Sequence, residues 1–116
     1  MKRRLHSFRH AFRGIADLWR FGVNFRLQVV AAGGITAIGL WLGFARWEWV
    51  AVVICMALVL AGEALNSALE ELCDEVTEEQ RERIRRAKDM AAGGVLLASL
   101  ASVFVAILIM ASRLLP

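Results

Sequence analysis

The sequence has a single proline, Pro116, and no stretch rich in Pro, Gly or Ser that could act as a linker. Nothing therefore divides its 116 residues into separate domains, and no internal repeat is evident, so residues 1–116 are read as one unit. The two cysteines make no disulfide framework: Cys55 stands inside an apolar run and Cys73 among charged residues, and both read as free thiols. The segment Met1–Gly22 carries basic residues but no apolar core, which excludes a cleavable signal peptide there. A Gly-rich phosphate loop, a paired CxxC and a nucleophile elbow are all missing from the sequence. Any chemistry must come from a different kind of constellation.

What the chain does have is apolar length. It is 59% hydrophobic, yet it carries fourteen Lys/Arg and eleven Asp/Glu crowded into short segments between uncharged ones. That alternation belongs to membrane proteins and not to globular ones. The net charge of +3 would suit a nucleic-acid binder, but seven basic residues precede the first apolar run, where anionic lipid accounts for them better. No nucleic-acid partner is expected.

Three spans are expected, at about 27–45, 47–72 and 89–112. At about 1.5 Å per residue, the first and third each cover a hydrocarbon core of roughly 30 Å. The second is apolar only from Trp49 to Gly62 and crosses only if its helix continues through Glu63 into Ala64–Leu72. Lys and Arg alternate along the chain: seven before the first span, Arg46 alone after it, five between the second and third, and Arg113 alone at the end. This asymmetry puts the N-terminus in the cytoplasm and the C-terminus outside, as expected of a bacterial inner (cytoplasmic) membrane protein.

Ahead of the spans, at about 3–21, Leu5, Phe8, Phe12, Ile15 and Trp19 recur at three- and four-residue intervals. They make one apolar stripe flanked by arginines, the pattern of a helix lying at the membrane surface or packed on its own bundle. The expected fold is thus an all-α membrane protein with three spans and an amphipathic surface helix. Gly39–Leu40–Trp41–Leu42–Gly43 has small-residue helix-packing spacing, a pattern common by chance. His6 and His10 stand one turn apart but lack a third metal ligand, so headgroup or solvent contact suits them better.

Depth singles out one cluster. From Arg46 to Glu63 is seventeen residues, about 25 Å of helix, which brings Glu63 to the inner edge of the hydrocarbon. Arg26, Lys88 and Asp89 adjoin the other two spans at the same level. On the second span Glu63, Asn66 and Glu70 are spaced to share one face, and Asp74 continues it. Such a stripe facing Lys88 can bind a metal ion and hold a phosphate, since a carboxylate at a membrane edge is costly unless it is used. The competing reading is structural: Glu63 pairs with Arg26 or Lys88 as a clamp between helices, and Glu70 and Asp74 solvate the helix end. Glu71, Glu75, Glu78, Glu79 and Glu82, interspersed with arginines, read as a solvated segment.

These residues carry a resemblance. Glu63–Ala64–Leu65–Asn66–Ser67–Ala68–Leu69–Glu70, then Asp74, then Ala87–Lys88–Asp89–Met90–Ala91–Ala92–Gly93, resembles the two-part signature of the prokaryotic diacylglycerol kinase/undecaprenol kinase family. Phe8, Ala11 and Gly14, and Asn24–Phe25–Arg26, also look like family positions, so the resemblance covers nearly the whole chain. It implies a homotrimeric membrane lipid kinase that uses ATP and Mg2+, with active sites between neighbouring subunits at the cytoplasmic surface. By position it implies that Glu63 is the general base for the lipid hydroxyl, that Asn66 supports the site and that Glu70 is a magnesium ligand. It further implies that Lys88 and Asp89, with Arg3, hold the nucleotide, and that Arg26 contacts substrate or phosphate. These roles suit phosphoryl transfer, which needs positioning and charge neutralisation more than covalent chemistry.

The sequence departs from the family pattern where members often carry a second metal-binding Glu, four residues before Arg26; here it is Gly22, with Asp17 and Asp74 as candidate replacements. Gln28 likewise replaces a Glu or His of some relatives. The expected substrate is a membrane lipid alcohol, undecaprenol or diacylglycerol. The alternatives are a catalytically degenerate member that binds lipid or nucleotide, and a non-enzymatic pore or holin-like protein.

Overall fold

The computed structural model describes residues 2–116. Four helices follow one another: α1 Lys2–Phe21, α2 Val23–Leu42, α3 Arg46–Val76 and α4 Glu82–Leu114. The last three are long and apolar enough to cross a membrane. α3 runs unbroken through Glu63, and its 31 residues extend about 46 Å, beyond the roughly 30 Å of a bilayer core. The charged turns of α3 and α4 therefore stand clear of the hydrocarbon as a helical hairpin joined by residues 77–81.

α2 stops at Leu42, short of the expected 45. Gly43 takes φ 72°, a left-handed conformation that a side chain disfavours, and the amides of Gly43 and Phe44 both donate to the Gly39 carbonyl (2.9 and 3.0 Å). Apolarity continues to Ala45 but the helix cannot. Gly39 is buried beneath the edge-to-face rings of Phe44 and Trp49, where an added Cβ would meet each at 2.7 Å. The Gly39/Gly43 pair thus builds the α2–α3 turn.

That turn is tied to α4. Glu48, on the first turn of α3, accepts from the Ala45 amide (2.8 Å) and receives both arms of the Arg113 guanidinium (2.6 and 2.7 Å). Arg113 also donates to the carbonyls of Leu42 (3.2 Å) and Gly43 (3.0 Å) and lies over the Phe44 ring. One guanidinium joins α2, α3 and α4. Its bidentate geometry is what makes a buried glutamate tolerable.

Little else is buried. α3 pairs with α4 along its length and α2 lies against α3, but the enclosed apolar residues are few: Phe25, Val52, Val59, Cys73 and Ile109. Leu97, Leu100, Phe104 and Ile107 on α4 face outward, as lipid-exposed or partner-exposed surface does. On α1 the stripe Leu5, Phe8, Phe12, Ile15 and Trp19 is at least half exposed throughout, so the helix does not pack this face on its own bundle.

Candidate active site

Two polar residues are buried at the charged end of α3: Glu63, 4% exposed, and Asn66, 8% exposed. Glu63 opens on a cleft of about 560 Å3 between α3 and the α1–α2 turn, which it shares with Asp17, Phe21, Gly22, Glu70 and Asp74. Helical geometry explains the grouping. At about 100° per residue, Glu70 and Asp74 each lie within about 20° of Glu63, so three carboxylates share the stripe.

Asn66 departs from the expected single face. It is rotated about 60° from Glu63, toward α4, and lines a second cleft of about 430 Å3 with Gly62, Ala91 and Gly94. Its Oδ1 is buried with no hydrogen-bond partner among the described residues. An acceptor so placed is costly unless something else meets it.

The basic residues are disposed differently from the clamp reading. Arg26 Nη1 donates to the carbonyls of Trp19 (3.1 Å) and Arg20 (3.3 Å), capping α1 and fixing the turn into α2. Lys88 binds Asp74 (2.9 Å), linking the helical hairpin just outside the apolar stretch of α4. That hydrogen bond, chiefly, holds the Lys88 ammonium pKa above its ordinary value, with the negative charges of Asp74 and Glu70 adding to it. Among the described residues neither base pairs with Glu63, nor does any other side chain. Glu63 is a buried residue whose carboxylate is unengaged among the described residues.

Of the remaining expected residues, Asp89 is exposed and bound by Arg85 (2.7 Å), which also binds Glu82. Arg3 is exposed on the first turn of α1, outside the lining of the Glu63 cleft. The structure therefore brings Glu63, Glu70 and Asp74 together, joins Lys88 to them through Asp74, and leaves Asn66, Arg26, Asp89 and Arg3 off the cleft lining. Gln28 lies in a separate cavity between the spans, beside Cys55 and Ser99. The Glu48–Arg113 pair was not legible in sequence. Its partners are 65 residues apart, and only the crossing of α4 past the α2–α3 turn unites them.

With this geometry, the comparisons with known proteins decide the family. The model of the prokaryotic diacylglycerol kinase family matches residues 9–110. The chain belongs to this family. It is 30% identical over 114 residues to an undecaprenol kinase of Bacillus subtilis (strain 168), covering 98% of this chain and 93% of that protein. It is 32% identical over 94 residues to a diacylglycerol kinase of Escherichia coli (strain K12), covering 81% and 77%. A diacylglycerol kinase of Synechocystis is 33% identical over 102 residues, 87% of this chain and 58% of that one. The relatives are undecaprenol and diacylglycerol kinases by name, and the matched segment covers the Glu63 cleft, the first two candidate spans and all but the last turn of the third.

Proposed function

We propose that this protein transfers the γ-phosphate of ATP to the hydroxyl of a membrane lipid, undecaprenol or diacylglycerol, at the cytoplasmic surface of the bacterial inner membrane. The observation that carries this reading is Glu63: a glutamate 4% exposed as a residue, its carboxylate unpaired among the described residues, at the edge of the apolar span and open to a cleft. Burial without a partner costs stability, and a family of lipid kinases gives that cost a use.

The lipid oxygen attacks the γ-phosphorus while Glu63 takes the hydroxyl proton. A new P–O bond forms to the lipid, the bond from γ-phosphorus to the bridging oxygen breaks, and ADP leaves with that electron pair. Lys88, its ammonium secured by Asp74, meets the phosphates. Asn66 offers its unsatisfied Oδ1 to a group entering beside α4, and Arg26 holds the α1–α2 turn that walls the cleft. Asp89, through its pair with Arg85, and Arg3 on the exposed start of α1 border the nucleotide.

Magnesium fits this donor set as a shared ligand. No three acids, histidines or cysteines converge into a complete metal site among the described residues, yet one cleft gathers several carboxylates. An ion that prefers one or two carboxylates and completes its shell with phosphates and water suits that arrangement. Glu70 would hold it, and when bound it supplies neutralisation of the phosphate charge. The exposed apolar faces of α4 and the orphaned Asn66 acceptor in an outward cleft support a homotrimer, with a neighbouring subunit closing the site. The Lys/Arg asymmetry supports the orientation.

The test is transfer from radiolabelled ATP in detergent–lipid micelles, with and without magnesium, offering undecaprenol and diacylglycerol in parallel. Magnesium-dependent label on one lipid names the substrate. Gly22, where the family pattern has an acid, favours one second reading, a degenerate member. Nucleotide binding with no labelled lipid from folded protein would establish that reading instead.

A further inference from the structure

The Glu63 cleft has two walls of unequal charge. The α3 wall carries Glu63, Glu70, Glu71 and Asp74, whereas the wall formed by α1 and the start of α2 carries one acid, Asp17. Asp74 is engaged by Lys88, and Glu71 is turned about 80° around α3 from Glu63. Asp17 is exposed and has no salt-bridge partner among the described residues. Opposite it, Glu63, a residue 4% exposed with no ion pair or hydrogen bond among the described residues, lines the same space and adds negative charge that no protein group neutralises.

The turn between the walls excludes an acid at position 22. A Cβ there would stand 2.6 Å from the Leu18 carbonyl oxygen and 3.2 Å from the Phe25 Cβ. The Leu18 atom is helix backbone, which cannot swing aside, so the turn closes only around glycine. Any carboxylate offered from this wall must come from α1 itself.

We propose that Asp17 is the second protein ligand of the magnesium ion, facing Glu70 across the cleft. The inference rests on the magnesium reading given above. One carboxylate from each wall leaves the other coordination positions to phosphate and water, the shell magnesium prefers. It also means that this chain binds its metal with an acid from the interior of α1 and not from the α1–α2 turn.

Manganese(II) can stand for magnesium, its free concentration followed by electron paramagnetic resonance, with the full-length protein in micelles and a non-hydrolysable ATP analogue. Asp17→Asn is expected to weaken manganese binding roughly tenfold or more, since even groups behind the metal ligands matter that much. Asp17→Glu should restore most of it, Glu70→Gln should weaken it comparably, and Glu75→Gln should leave it unchanged. Wild-type binding by Asp17→Asn, or a loss that Asp17→Glu does not restore, overturns the proposal. If Glu70→Gln has lost binding in the same series, the magnesium reading survives that failure. Unchanged binding in both Asp17→Asn and Glu70→Gln overturns the two together.

Discussion

α3 buries two glutamates, one near each end, and treats them in opposite ways. Glu48 and Glu63 are 3% and 4% exposed, so burial alone does not distinguish them. Glu48 is held by both arms of Arg113 and by the Ala45 amide. Glu63, fifteen residues along, has neither an ion pair nor a hydrogen bond among the described residues, and opens on a cleft. An acid whose desolvation is offset by a bidentate partner is part of the scaffold. One left uncompensated at the edge of an apolar span is where a functional site is proposed first. On the function proposed above, the end closed by Arg113 serves cohesion and the end around Glu63 serves chemistry.

The comparison can be broken most forcefully at Glu63. Glu63→Gln keeps the shape and removes the proton acceptor, so turnover should fall by about 10²–10⁴-fold, the usual worth of a general base, in the micelle transfer assay. At the opposite end, Arg113→Ala leaves Glu48 buried without its partner and should cost about 3–5 kcal/mol in unfolding measurements. Replacing both Glu48 and Arg113 by Met should recover most of that loss, because an apolar pair needs no compensation.

A smaller effect is expected at the α1–α2 turn. Gly22→Ala drives a Cβ against the Leu18 carbonyl and should destabilise the protein by about 1–3 kcal/mol, measured by chemical unfolding in the same detergent. The smallest concerns Lys88, where Lys88→Met removes one charged contact at a solvent-screened position. It should raise KM for ATP about tenfold with a lesser change in kcat, measured by steady-state kinetics.

Sequence and structure agree where the physics is local. The apolar runs on α2, α3 and α4 and the stripe from Leu5 to Trp19 are set by composition and spacing alone, and the helices follow them. The end of α2 depended on a backbone angle: charge placed the boundary near Arg46, while the left-handed Gly43 ends the helix at Leu42. Within the site, Glu63, Glu70 and Asp74 were legible as one stripe because their spacing nearly closes whole turns. Asn66 shares their spacing in sequence, although its 60° offset decides which cleft it enters. Arg26 was legible in depth but not in partner, since its capping of α1 depends on how tightly the chain turns at Gly22. The Glu48–Arg113 pair joins residues with no sequence pattern in common and needed the third dimension.

The most direct measurement compares Glu48→Gln and Glu63→Gln in one preparation, reading unfolding midpoint and labelled lipid from the same samples. Glu48→Gln should lower the midpoint while folded protein still turns over. Glu63→Gln should keep or raise the midpoint and yield almost no labelled lipid. A Glu63→Gln protein that unfolds early, or one that phosphorylates lipid at the wild-type rate, would contradict the division of the two ends between chemistry and cohesion.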